Sequence, residues 1–147
     1  MRFPHRRQIN DWYCGPATLQ MILSGFGIRA SQEALARTSG TNERHGTPRA
    51  GLLRALRAHG LRGSARHGRG LEELDAAVLS GKAVIVLYVE KEADEGHYAV
   101  FLGTSRGRVL LNDPWHGARY ALKRGEFLKR WRGSAKRWTR WALVVGR

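Results

Sequence analysis

Sulfur is scarce in this chain: one cysteine, Cys14, and two methionines among 147 residues. A single thiol excludes an intramolecular disulfide, so the fold must stand on its hydrophobic core alone. The histidines His5, His45, His59, His67, His97 and His116 are scattered without ligand spacing, so neither a metal nor any other cofactor is expected. Acidic residues are also few, 12 against 26 lysines and arginines, which leaves a formal charge of +14. Such a surface favours anionic partners, although arginines covering ordinary solvated faces give the same count. Long apolar runs are absent. The longest, 83–89, is far too short to span a bilayer, and residues 1–10 are basic without the apolar stretch of a signal peptide. The expectation is a soluble cytoplasmic protein, with attachment to a membrane surface left open. Gly68-Arg69-Gly70 lacks the Lys-Ser/Thr ending of a phosphate-binding loop.

What is present suffices for one domain over residues 1–147, with an apolar share of 42%. No repeat and no long linker interrupts it. Leu19, Ile22, Leu23 and Phe26 recur at helical spacing from Cys14 onward, with Gly25 and Gly27 where that helix should end. Ser31 caps a short helix to Arg37. Thr47 and Pro48 read as the N-cap and first residue of a helix that buries Leu52, Leu53 and Leu56 and stops at Gly60. A further helix covers 71–79, with Glu72 and Glu73 at its positive end. Strands follow at 83–89, 97–103, 108–112, 118–122 and 138–145, with a tight connection at Ser105-Arg106-Gly107 and a short helix at 126–131. Helices first and a mostly antiparallel sheet second make an α+β domain.

Three segments carry chemistry. Cys14 stands where an irregular segment meets a helix N-terminus, whose free N–H groups favour a thiolate. Gly15 permits close approach of backbone and substrate, and Pro16 suits the first helical turn. Gln8, a short loop upstream, can offer a side-chain N–H to a developing oxyanion. His97 opens a strand after the polar loop 91–95, where an imidazole can face a cleft and exchange a proton with a thiol. Asp113 ends the next strand, before Pro114, at the sheet edge where a carboxylate can hold the imidazole tautomer. Each has an ordinary structural reading, as a buried thiol, a core histidine or an Asp-Pro turn. Their order forms one acyl-transfer constellation.

The set Gln8, Cys14-Gly15-Pro16-Ala17, Met21, Gly25, then Gly96-His97-Tyr98-Ala99-Val100, then Asp113-Pro114 and Gly117 resembles the C39 peptidases, across nearly the whole chain. The resemblance implies a papain-like fold, with N-terminal helices packed on the sheet, and hydrolysis of peptide bonds. It implies Cys14 as nucleophile, His97 as base, Asp113 as orienting carboxylate and Gln8 as oxyanion donor, with processing of a leader or pro-peptide as one outcome. Tyr13 stands where exporter-fused members often carry Asp. The papain and cathepsin signature around the cysteine is not matched.

The alternative from another class is a binding module, either a C39-like domain gripping a peptide with its thiol idle or a basic anion-binding protein. The C-terminal stretch interleaves Trp131, Trp138 and Trp141 with Lys129, Arg130, Arg132, Lys136, Arg137 and Arg140. Such interleaving can grip single-stranded nucleic acid or a membrane surface, and tryptophans that cap a core give the same pattern. A peptide or protein substrate is the expected partner. An acidic partner or anionic membrane is expected at the basic surface, and nucleic acid is disfavoured.

Overall fold

The computed structural model describes residues 1–147. Three helices come first: α1 (Cys14–Gly25), α2 (Gln32–Ser39) and α3 (Arg49–Ala58). α1 is buried almost all round, as its apolar composition demands. Ser31 caps α2 by accepting the Ala34 N–H, and Gly40 ends it in the left-handed conformation. α3 begins one residue later than its sequence suggests. Pro48 is the N-cap, because the Thr47 hydroxyl is engaged elsewhere, 2.7 Å from that of Thr41.

The rest of the chain builds one six-stranded sheet and two more helices: β1 (Arg62–Arg66), α4 (Leu71–Leu79), β2 (Ala83–Val89), β3 (Gly96–Ser105), β4 (Arg108–Asp113), β5 (Gly117–Lys123), α5 (Arg124–Arg130) and β6 (Ala142–Gly146). The strand order is β1-β6-β2-β3-β4-β5, and every pairing is antiparallel. Ser105 pairs with Arg108, so Arg106 and Gly107, both at positive φ, form a two-residue hairpin turn.

Alternation along the strands divides the core into two layers. Ile85, Leu87, Tyr98 and Val100 face α1, α2 and α3, packing against Leu19, Met21, Leu35 and Leu52. Val84, Val86, Tyr88, Ala99, Phe101, Val109 and Leu111 face the other way, against Leu71 and Leu74 of α4 and Phe127 of α5. Each such side chain contributes about 1.5–3 kcal/mol by leaving water. No helix is long and apolar enough to cross a membrane.

β1 and β6 differ more from the sequence expectation. β1 was not anticipated: it is polar and mostly exposed, and its order comes from pairing with β6 and from Arg69. That buried guanidinium donates to the carbonyls of Ser64 and Ala142. β6 begins at Ala142 and not at Trp138, because Trp138 and Arg140 hold positive φ, which a strand does not accommodate.

Candidate active site

The buried face shared by α4 and α5 ends in polar residues, and these build the site. Tyr88 on β2 pairs directly with His97 on β3. Val100 faces Asn112 across β3 and β4, which puts Asp113 diagonally beside His97 on the same face. His97 Nε2 donates to Asp113 Oδ2 at 2.7 Å. The Tyr88 hydroxyl donates to the same oxygen, and the ring edge of Tyr88 meets the imidazole at a centroid distance of 4.8 Å. Asp113 Oδ1 accepts the backbone N–H groups of Trp115 and His116, each at 2.8 Å. Asp113 is wholly buried. Burial alone would raise its pKa, but the bonds from His97, Tyr88 and His116 prevail and hold it at about 2.

The other imidazole nitrogen is also taken. His97 Nδ1 lies 2.9 Å from Glu90 Oε1, and His116 Nε2 lies 2.9 Å from Glu90 Oε2. Burial lowers the His97 pKa, yet the two carboxylates outweigh it and lift the group to about 9. Glu90 is held down to about 2, chiefly by its bond from His97. In this arrangement His97 is an imidazolium clamped between two carboxylates.

Cys14 is the first residue of α1, with Tyr13 as N-cap. It lines one cleft together with Gln8, Glu90 and His97. No hydrogen bond joins its Sγ to His97, whose Nδ1 is engaged by Glu90. The helix terminus was expected to lower the thiol pKa. Burial instead pushes it up to about 11, aided by the charges of Asp113 and Glu95 and opposed by bonds from the Tyr98 and Gly15 backbones. Gly15 answers a packing need: a Cβ there would lie 2.1 Å from Thr47 Oγ1. The close approach that Gly15 permits is made here by the Thr47 side chain.

Gln8 sits in the arm before α1. Its backbone N–H donates to Pro114 O at 3.0 Å, and its side-chain Nε2 donates to Asn10 O at 2.8 Å. Oε1 is buried without a partner. One Nε2 hydrogen therefore stays free of Asn10. The arm is laced to the end of β4 by two more bonds, from Asn112 Nδ2 to Phe3 O and between His5 Nε2 and Asp113 O.

The structure thus brings Gln8, Cys14 and His97 to one cleft, with Asp113 behind the histidine. Glu90, His45 and His116 were not singled out as site residues, although His45 lines the cleft and His116 meets Glu90 beside it. The C-terminal basic stretch does not form one surface. Trp131 and Trp141 are buried in the core, and Trp138 is half-buried beneath Arg49, whose guanidinium lies 3.4 Å from the ring centroid. Arg130 is buried and donates to Val89 O at 2.8 Å. Lys129, Lys136, Arg137 and Arg140 remain exposed.

Comparison with known proteins gives the relationship. The model of the Peptidase C39 family matches residues 2–140. The chain belongs to the C39 peptidase family. An uncharacterized protein of Methanothermobacter thermautotrophicus is 32% identical over 127 residues, 86% of this chain and 82% of that protein. Among solved structures, the peptidase domain of Streptococcus ComA, a bifunctional ABC transporter of a quorum-sensing pathway, superposes with a TM-score of 0.77 at 21% identity, covering 98% of this chain and 96% of that one. A double-glycine-motif protease from an AMS/PCAT transporter, in complex with its leader peptide, gives 0.78 at 21% identity, covering 98% and 91%. The C39 chain therefore has the papain-like α+β fold, with its first three helices on one face of the antiparallel sheet.

Proposed function

We propose that this C39 family member is a cysteine peptidase that attacks a peptide carbonyl with Cys14, using His97 as proton carrier, Asp113 to orient it and Gln8 to hold the oxyanion. The observation that supports the reading is the convergence of Cys14, His97 and Gln8 on one cleft, with the buried Asp113 bonded to Nε2. That bond leaves Nδ1 as the nitrogen for the thiol. The resting arrangement carries one proton too many for attack, since both thiol and imidazole hold theirs. In the productive state Nδ1 leaves Glu90, one proton passes to solvent, and the remaining proton is shared between Nδ1 and Sγ.

The thiolate then bonds to the carbonyl carbon, and the carbonyl oxygen takes up negative charge. The free Nε2 hydrogen of Gln8 and the Cys14 backbone N–H stabilise it. His97 gives its proton to the leaving amine as the C–N bond breaks. Water, deprotonated by His97, releases the acyl group and restores the thiol. The transporter protease that binds a leader peptide makes a leader or pro-peptide the first substrate to try.

The test compares new peptide termini generated in a lysate by the wild type, Cys14→Ala and Asp113→Asn. The wild type should cut, Cys14→Ala should not, and Asp113→Asn should lose roughly 100-fold or more in kcat, as loss of an orienting carboxylate does elsewhere. Identical termini from wild type and Cys14→Ala would leave a peptide-binding module with an idle thiol as the reading.

A further inference from the structure

Three side chains from separate parts of the chain converge beside the cleft that Cys14 lines. Glu90 follows β2, His97 opens β3, and His116 lies in the β4–β5 turn. Their ligand atoms all lie within 4.8 Å of one another. The Glu90 carboxylate now sits between His97 Nδ1 and His116 Nε2, accepting from each at 2.9 Å. Two imidazole nitrogens and a carboxylate are a borderline donor set, suited to Zn2+ and poorly suited to Mg2+ or Ca2+, which take all-oxygen shells.

The surroundings fit a metal site in a second way. A metal-bound histidine usually donates its other N–H to a carboxylate or carbonyl, which fixes the ring and its tautomer. His97 does this: its Nε2–H is held by the buried Asp113 at 2.7 Å, so Nδ1 points outward as the ligand atom. The other oxygen of Asp113 fixes the backbone of His116 at 2.8 Å. The His116 ring is itself stacked on Tyr120, at 4.6 Å and 15° between planes. One buried carboxylate therefore orients both histidines. Two nitrogens bound to one tetrahedral zinc stand about 3.3 Å apart, from Zn–N bonds of about 2.0–2.1 Å. Glu90 and His116 are each partly exposed at 28% of their side-chain surface, so they have room to close that distance.

We propose that Glu90, His97 Nδ1 and His116 Nε2 bind one Zn2+ ion, and that the bound ion withholds His97 from Cys14 and blocks turnover. The ion takes the place of the proton that now bridges Glu90 to His97 Nδ1, and that proton passes to solvent, while His116 binds through Nε2 as the tautomer protonated on Nδ1. The blocking half rests on His97 serving as the base, as proposed above. The binding half does not.

Binding is measured first on Cys14→Ala, so that no thiol competes for the metal. Titration calorimetry with Zn2+ should show one site, and Mg2+ should give no heat. His116→Ala and Glu90→Gln should each weaken Zn2+ by about tenfold or more. Imidazole 15N spectra of the same unsubstituted-histidine protein should show Zn2+ moving Nδ1 of His97 and Nε2 of His116 while His5, His45, His59 and His67 stay in place. That readout does not depend on the folding of a variant. Absence of binding, shifts confined to the other histidines, or affinity untouched by both substitutions would overturn the site. On the thiol-bearing protein, stoichiometric Zn2+ should suppress peptide cleavage, and EDTA should restore it. The zinc needed for half-suppression should rise in His116→Ala by the factor that its affinity falls. Zinc bound at these three residues with cleavage undiminished would overturn the blocking half and count against His97 as the base.

Discussion

Glu90 Oε1 lies 2.9 Å from His97 Nδ1, on the nitrogen left free by Asp113. The contact is a competitor to catalysis: a carboxylate there stabilises the imidazolium and keeps the ring from the thiol. Glu90→Gln removes the charge but not the shape. It should raise kcat/KM on a short peptide by roughly 3- to 10-fold, within about 1.4 kcal/mol of barrier. The measurement is steady-state cleavage under metal-free conditions. A fall in kcat/KM would mean that Glu90 helps to place the ring and is not a competitor.

The thiol should behave accordingly. With burial pushing Cys14 up to about 11, thiolate is scarce near neutral pH. Iodoacetamide alkylation of the wild type should be slow at pH 7 and climb with pH until about 11. In Glu90→Gln a second, faster component should appear at lower pH as Nδ1 meets Sγ, and His97→Ala should abolish that component. Mass spectrometry of time points across the pH series reads both. A wild-type rate already at its plateau at pH 7 would contradict a half-buried thiol held at a raised pKa without a bond to His97.

Gly15 and Thr47 give a test of packing under the nucleophile. A Cβ at position 15 would stand 2.1 Å from Thr47 Oγ1 and 2.5 Å from its Cβ. Gly15→Ala should destabilise the protein by about 1–3 kcal/mol, as overpacking of a full site does. Thr47→Gly in the same chain should recover part of that loss, so the two effects are not additive. Urea unfolding of the two single variants and the double variant measures the coupling. Additive losses would show that the clash is relieved elsewhere.

How much of this was legible in the sequence follows from what each residue reports locally. Cys14 and His97 stand at element boundaries that apolar periodicity reveals, and Asp113 precedes a proline that ends its strand. Glu90 carries no such mark. The apolar run of β2 stops at Val89, and Glu90 looks like the first residue of the polar loop before β3. Its role depends on the Tyr88–His97 register, which no local pattern states. His116 reaches the site through a turn followed by an irregular pairing in β5, where Arg119 holds positive φ. β1 was hidden because Arg62-Gly63-Ser64-Ala65-Arg66 has no apolar alternation, and its partner β6 lies some 80 residues away. The basic C-terminal stretch was misleading for the opposite reason. Composition does not distinguish a cation that faces water from one that caps a buried carbonyl.

That distinction supplies a last prediction. Arg130 belongs to the fold: its Nε holds Val89 O at 2.8 Å, its guanidinium lies 5.3 Å from the Tyr88 ring centroid, and it is only 7% exposed. Arg130→Gln should cost about 1.5–3 kcal/mol, the value of a hydrogen bond from a charged donor. It should also lower cleavage of every substrate, because Val89 precedes Glu90 and follows Tyr88. Lys136 and Arg137 are exposed, so Lys136→Gln with Arg137→Gln should change stability by less than about 0.5 kcal/mol each. If these two cations help dock an acidic substrate, their loss should raise KM for it at low salt and little at high salt, where the Debye length shrinks to about 3 Å at 1 M. The kcat on a short neutral peptide should not move, because binding lost equally in ground and transition states leaves it alone. Calorimetric melting with kinetics on both substrates at two salt concentrations separates the roles. A Tm loss in the exposed pair as large as that of Arg130→Gln would show that the whole stretch is structural.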